Sequence, residues 1–261
     1  MRTAGGAAVG LILLGLVFGV IHGFQISVEV DEQQQQQQTQ FESHLKLPTQ
    51  EEGEKVDDQK PFDYFVFSQQ WPGTYCKQSG TCCEKIKTPA TFTVHGLWPE
   101  YNDGSYPGCC SGPGFEQAKV DELEDLLQEY WPTMSCSSPT QCNGKKTGSF
   151  WQHEWEKHGT CAYPTIPDEA TYFIVGLNLR LKYDLLKILK DAGFVPSSSE
   201  MYQSSEMAAA IKSAVGGWPI LTCWSKQVQE IWICFTKDLK IRDCGSSSNS
   251  CSTILFPPFS L

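Results

Sequence analysis

Cations are scarce in this sequence: 20 Lys and Arg stand against 30 Asp and Glu in 261 residues, a formal charge of −10. That balance excludes a protein that grips nucleic acid by bulk electrostatics, so any polyanionic ligand has to be caught locally. A long apolar run is also missing. The stretch from Ala7 to Ile21, behind Arg2, is short for a membrane span and is interrupted by Gly10, Gly15 and Gly19. Its charge-then-apolar layout is that of a secretory signal over residues 1–23. No Asn-x-Ser/Thr acceptor occurs, so ordinary N-glycosylation is not expected. Internal repeats are absent as well. No cysteine precedes Cys76, yet twelve lie between it and Cys251. That density behind an apolar N-terminus points to an oxidising compartment.

Half of the charge excess sits outside the part that can fold. Residues 1–60 carry 4 basic and 9 acidic side chains, with six glutamines in a row from Gln33 to Gln38. Residues 24–60 therefore read as a flexible acidic leader or propeptide. From 61 to 261 one cysteine-rich domain is expected, long enough to bury a substantial core. Short aromatic or β-branched runs predict strands at Phe62–Phe67, Phe92–His95, Ile220–Trp224 and Val228–Phe235. Helical spacing of Val120, Leu123, Leu127 and Tyr130 predicts a helix over Phe115–Trp131, stopped by Pro132. A longer helix is predicted from Asp168 to Gly193 with Leu181, Leu185, Leu186 and Leu189 inward, and a third from Ser205 to Gly216 or Gly217. Strands and helices alternate without a regular period. The fold class is therefore α+β, an antiparallel sheet core flanked by helices in a single disulfide-rich domain.

The chemistry concentrates in two strings. One is Phe92-Thr-Val-His95-Gly-Leu-Trp98-Pro99; the other runs Phe150-Trp-Gln-His153-Glu154-Trp-Glu-Lys157-His158-Gly-Thr-Cys161. On a helix turning about 100° per residue, with His153 at zero, Lys157 falls near about 40°, Glu154 about 100° and His158 about 140°. Four ionisable groups thus share one arc, and Trp151 and Trp155, at about 160° and about 200°, form an apolar wall beside it. An exposed face laced with ion pairs would account for Glu154 and Lys157. It would not account for two histidines flanked by tryptophans. His153-Glu154 also begins the zinc-protease pattern H-E-x-x-H, but the second histidine comes one residue too late and Lys157 occupies the ligand position, so metal-dependent proteolysis is rejected. Two imidazoles with a lysine and a carboxylate suit RNA cleavage by the 2′-hydroxyl. That reaction needs a base for the hydroxyl, an acid for the departing 5′-oxygen, and positive charge for the phosphorus centre.

Both strings resemble the two active-site segments of the T-two ribonuclease family, the acid, base-nonspecific endoribonucleases, and most of all its plant S-like branch. Asp63-Tyr-Phe-Val-Phe-Ser-Gln-Gln-Trp-Pro-Gly-Thr-Tyr-Cys76 resembles the family's first strand and turn. The resemblance runs from about Pro61 to Phe259. It implies that His158 is the general base and His95 the general acid, that Glu154 and Lys157 stabilise the phosphorane-like transition state, and that His153 holds the phosphate. Trp98 and Tyr106 resemble one base subsite, with Phe150 stacking the neighbouring base. Where the family usually has Asp after the Trp-Pro pair this chain has Glu100, which bears on base preference. The resemblance further implies the bridges Cys234–Cys244 and Cys223–Cys251, and one from Cys109 or Cys110 to Cys161. Cys76–Cys82 and Cys83–Cys136 are expected, leaving Cys142 for the remaining member of the Cys109, Cys110 pair.

The expectation is a secreted or vacuolar, lysosome-like endoribonuclease of low base specificity, without a cofactor or metal. It would act as a monomer on single-stranded RNA, bind DNA only unstably, and have no membrane association once the signal is removed. A catalytically idle storage or recognition member of the family is the rival from another class. It should lack at least one of His95, Glu154, Lys157 or His158, and all four are present. A basic self-recognition ribonuclease conflicts with the acidic balance.

Overall fold

The computed structural model describes residues 60–79, 82, 89–245 and 251–259. The expected signal and nearly all of the leader lie outside the described residues. Among those described, no helix is long and apolar enough to cross a membrane.

Among the described residues seven strands form one sheet: β1 (Tyr64–Gln70), β2 (Thr93–Glu100), β3 (Met201–Gln203), β4 (Ile220–Trp224), β5 (Gln227–Phe235), β6 (Ile241–Arg242) and β7 (Thr253–Leu255). Their order is β2-β1-β5-β7-β3, with β4 and β6 also pairing to β5. Every pairing is antiparallel except that of β5 with β7, where Gln227 faces Leu255. The sheet is therefore mixed by one short parallel contact. The helices are α1 (Pro72–Ser79), α2 (Glu124–Tyr130), α3 (Phe150–Lys157), α4 (Glu169–Lys182), α5 (Leu185–Asp191) and α6 (Ser204–Val215). The α+β class holds.

Alternation along the strands gives the sheet two different faces. Phe65, Phe67, Ile231, Ile233 and Phe235 are buried on one, where α4 packs with Tyr172, Phe173 and Leu177. Tyr172 hydroxyl reaches across to donate to the Leu97 carbonyl at 3.1 Å. Gly176 leaves room for the Trp131 indole, since a Cβ there would collide with the ring. On the other face a smaller apolar cluster forms from Val66, Ile220, Cys234 and Cys244, with Tyr64, Trp98 and Trp232 packed against it. Pro99 is tolerated in β2 because that strand is an edge.

Two predicted helices are shorter than their apolar periodicity. The one foreseen over 168–193 breaks after Lys182, because the Asp184 carboxylate accepts from Lys187 N–H and caps a new helix. Leu185 and Leu189 are buried as expected, whereas Leu181, now on the other side of the break, is 39% exposed. The segment 115–131 begins as two 3₁₀ turns, Gln117–Lys119 and Asp121–Leu123, before α2. Only Val120 and Leu127 of its four apolar positions are fully buried.

The bridges Cys76–Cys82, Cys223–Cys251 and Cys234–Cys244 form as expected. The open choice resolves to Cys110–Cys161 and Cys109–Cys142. Cys136 is disulfide-bonded, while Cys83 lies outside the described residues.

Arg180, 2% exposed, shows how the strand nearest the site is held at its entry. Its Nε donates to the Phe92 carbonyl and an Nη to Thr91 Oγ1, both at 2.6 Å. This scarce cation is structural. Arg180→Ala is expected to cost about 2–4 kcal/mol in urea unfolding, because buried acceptors are left unpaired. A loss below about 0.5 kcal/mol would show that the guanidinium does not anchor β2.

Candidate active site

The site forms where α3 lies against the second face of the sheet. Ser149 caps α3 by accepting from Gln152 N–H at 3.0 Å. The two indoles anchor it as the helical arc predicts: Trp151 Nε1 donates to the Trp131 carbonyl at 2.8 Å and Trp155 Nε1 to the Pro113 carbonyl at 3.0 Å. The opposite arc presents His153, Glu154 and Lys157. His158 is not inside the helix but caps it (φ −118°, ψ −48°), still donating its N–H to Glu154 O, and a 3₁₀ turn over Gly159–Ala162 follows. Beyond that turn, Cys161 is tied to Cys110, and Cys109 N–H donates to the Lys157 carbonyl at 2.9 Å. The loop following β2 is thereby fastened to the end of α3.

His95 arrives from β2 by an irregularity. Ser68 pairs with Gly96 while the next residue, Gln69, pairs with Val94, so His95 is skipped. In unbroken alternation His95 would point away from Trp98, into the α4 side. The bulge turns it to the site, a common use of bulges. Its ring lies 5.0 Å from that of Trp98 and 6.0 Å from Phe150, nearly parallel to the latter. The Trp131 indole donates to the His95 carbonyl at 3.0 Å, securing the bulged backbone.

Glu154, 1% exposed, is covered by Trp98, whose Nε1 donates to Oε2 at 3.0 Å. That bond passes directly over Gly96: any Cβ there would land on both the indole nitrogen and the carboxylate oxygen. The His158 ring is 5.6 Å from Trp98, 6.3 Å from Tyr106 and 6.2 Å from His153. Lys157 makes no ion pair among the described residues, leaving its ammonium available to an anion.

Glu230 has no place in the sequence reading. It faces Gln70 and Thr222 across the sheet, and its Oε1 lies 2.8 Å from His95 Nδ1. Its Oε2 accepts from Ser68 Oγ at 3.0 Å and Trp232 Nε1 at 2.8 Å. A lone carboxylate in the middle of a strand that otherwise carries apolar residues and two glutamines was the available signal. Glu100 stands two residues beyond Trp98, opposite Tyr64, at the strand's end. A cavity of about 360 Å³ opens on the other side of His95, bordered by Phe150, His153, Gln70, Ser135 and Thr140.

The ionisable groups are driven apart by this environment. Burial, with Lys157, His153 and His95 adding repulsion, pushes His158 down to about 2, so its imidazole is neutral at ordinary pH. Burial and Lys157 likewise lower His153. At His95 burial opposes the charge, but the charge and hydrogen bond of Glu230 outweigh it and raise the imidazole above its usual 6.5. Burial lifts Glu154 to about 7 and Glu100 also to about 7. One donor atom each from His153, Glu154 and His158 lies within 4.8 Å of the others, so the convergence that the H-E-x-x-H spacing argued against does occur in space. The neighbouring Lys157 ammonium opposes a cation there.

A match to the Ribonuclease T2 family spans residues 62–244. The chain belongs to that family. It is an endoribonuclease by membership, in a family of low base specificity. Extracellular ribonuclease LE of Solanum lycopersicum is 37% identical over 206 residues, covering 76% of this chain and 83% of that protein. Among solved structures, trichomaglin, described as an S-like ribonuclease, is 42% identical with a TM-score of 0.69, covering 75% of this chain and 98% of that one. RNase NT, solved in complex with 5′-AMP, is 32% identical with a TM-score of 0.66 and covers 77% of this chain and 100% of its own.

The buried Glu154 carboxyl carries a stability cost with a definite sign. A raised folded-state value means that its contribution is present below the ordinary 4.5 and is lost as pH rises through about 7. Glu154→Gln, which has no charge to bury, is expected to gain stability relative to the parent chain between pH 5 and pH 8, by up to roughly 3 kcal/mol. Thermal melts of both proteins at the two pH values read the difference. An unchanged difference would show that the carboxyl is not desolvated.

Proposed function

We propose that this endoribonuclease cleaves single-stranded RNA by transphosphorylation without a metal, using His158 as base and His95 as acid. The observation that carries the reading is the opposite tuning of two imidazoles around the Glu154 carboxyl and the Lys157 ammonium, which forms no ion pair among the described residues. A base must start neutral, and burial together with the nearby Lys157 charge keeps the His158 imidazole neutral. An acid must start protonated, which suits His95, raised by Glu230 despite burial.

In the first step His158 takes the proton of the 2′-hydroxyl as that oxygen bonds to phosphorus. The P–O5′ bond breaks, and His95 gives its proton to the 5′-oxygen, releasing a 2′,3′-cyclic phosphate. In the second step water replaces the 5′-oxygen: His95 takes its proton, the new P–O bond forms, the P–O2′ bond opens and His158 reprotonates O2′. A 3′-phosphate results. Lys157 offsets charge on the non-bridging oxygens, His153 donates to them, and Glu154, neutral at acidic pH, can donate as well.

Nucleobases on either side of the phosphate are accommodated by surfaces that present few directed donors. Trp98 and the 55%-exposed Tyr106 flank His158 on one side. On the other, the ring of Phe150 borders the cavity next to His95. Stacking is tolerant of base identity, in keeping with low specificity, and Glu100 is the position that would bias it. With only −5 on residues 61–261, local cations suffice to hold one phosphate without tight, persistent binding. A 2′-deoxy strand offers no nucleophile. We place the enzyme in the secretory pathway, as a monomer delivered outside the cell or to a vacuole or lysosome-like compartment, on the strength of its bridges and of the extracellular relative.

The test is to incubate the protein with RNA and with a matched 2′-deoxy strand across the pH range, in excess chelator. RNA alone is expected to be cut, chelator is expected to have no effect, and activity is expected to fall as pH rises past the raised value of His95. His95→Ala and His158→Ala should each lower kcat by about 10²–10⁴-fold with the fold retained. Cleavage of the deoxy strand, loss of activity in chelator, or a near-normal rate in either variant would overturn the mechanism.

A further inference from the structure

Glu230 is the only carboxylate on the site face of the sheet that touches a candidate reacting group among the described residues, and no step above uses it. Its surroundings are not those of a surface charge that met a histidine by chance. It projects from the centre of β5, flanked by β1 and β4, and its side chain is 13% exposed. Both oxygens are engaged. Oε1 meets His95 Nδ1, and Oε2 takes hydrogen bonds from Ser68 Oγ and Trp232 Nε1. Two donors from two strands thus fix the orientation of the carboxylate before it meets the ring. Burial would raise its pKa, but the His95 charge and these three hydrogen bonds outweigh it, so the carboxylate stays ionised.

Resting on the reading of His95 as the acid, we infer that Glu230 is the positioning residue of His95: it holds the proton on Nδ1 and thereby directs Nε2–H at the leaving oxygen. A buried acceptor on one ring nitrogen selects the tautomer and leaves the other nitrogen free for chemistry. The bulge makes this partnership necessary. A histidine skipped by the ladder has a backbone secured by the Trp131 indole at its carbonyl and a ring flanked by Trp98 and Phe150, but among the described residues no other hydrogen bond fixes the ring's rotation. Glu230 supplies that constraint through its own two-point mounting. By contrast, Nδ1 of His158 has no hydrogen-bond partner among the described residues, as a base that must remain neutral allows. The charged and titratable groups facing His95 are Glu230 from β5, Glu154, Lys157, His153 and His158 from α3 and its cap, and, across the cavity, Tyr75 of α1 and Lys146. Of these, Glu230 alone is hydrogen-bonded to the ring.

The experiment compares two substrates. A dinucleoside monophosphate needs its 5′-oxygen protonated on departure, whereas uridine 3′-(4-nitrophenyl) phosphate releases a phenolate that leaves without a proton. Glu230→Gln is expected to lower kcat on the dinucleoside about 10–100-fold with KM nearly unchanged. It should move the alkaline limb of the pH profile to lower pH, because the charge that favoured protonated His95 is gone, and should lose far less on the nitrophenyl ester. Equal losses on both substrates with an unmoved alkaline limb would make Glu230 merely structural and overturn the inference. Should Glu230→Gln fail to fold, Trp232→Phe and Ser68→Ala loosen the carboxylate without removing it. They should give the same substrate-selective loss at a smaller, few-fold size, and equal or no losses on the two substrates count against the inference. His95→Ala on the same pair separates the two readings. If it shows no preference between substrates, His95 is not the acid; if it does and the Glu230 series does not, only the positioning role fails.

Discussion

The skipped residue in the β1–β2 ladder is the constraint on which the rest of the site depends. Ordinary alternation would bury His95 among the aromatic residues that pack α4 on the sheet, and only the register change between Ser68 and Gln69 turns it outward. Once it is turned, three arrangements become possible together. Its ring meets Glu230 on the neighbouring face of β5, it lines up with Phe150 at the start of α3, and it borders the cavity beside that helix. Gly96, the next residue, is equally committed, because the Trp98–Glu154 hydrogen bond occupies the space of its absent side chain.

Around that constraint the electrostatics follow from burial and from which groups receive partners. His158 and His153 sit beside Lys157, among the described residues no carboxylate is hydrogen-bonded to either ring, and both are pushed toward the neutral state. His95, a third exposed, has Glu230 and is pushed toward the charged state. One low-dielectric site thus holds the same side chain in two opposite conditions, which a solvated cluster of histidines could not maintain. Glu154 shares the cost: it is buried under an indole and lifted to about 7, which lowers stability at alkaline pH.

The bridges serve placement rather than only stability. Cys110–Cys161, together with the Cys109 N–H to Lys157 carbonyl hydrogen bond, joins the loop after β2 to the end of α3, so the strand carrying His95 and the helix cap carrying His158 are tied together by a covalent bridge. Cys234–Cys244 lies in the apolar cluster beneath Trp98 and Trp232, and those indoles are the donors that hold Glu154 and Glu230. A disulfide-backed cluster under the site face therefore supports both carboxyl groups at once.

Local pattern carried far in this chain. The α+β class, the four longer strands, the helical arc with its tryptophan wall and the two histidine strings are all properties of short segments, and periodicity or spacing displays them directly. The helix over 168–193 misled for a local reason too: apolar periodicity runs through Tyr183–Asp184, but a single Asp184 side chain competes for the backbone and restarts the helix. Other features have no local signature. The bulge at His95 exists only when β1 lies alongside β2, the choice between Cys109 and Cys110 depends on how the loop docks on α3, and Glu230 is 135 residues from the ring it touches. By itself the sequence determined which chemical groups this protein has and which of them lie on one helix face, because that is set by bonding along the chain. The tertiary structure alone decided which histidine keeps its proton, because the energy of a charge depends on what is folded around it.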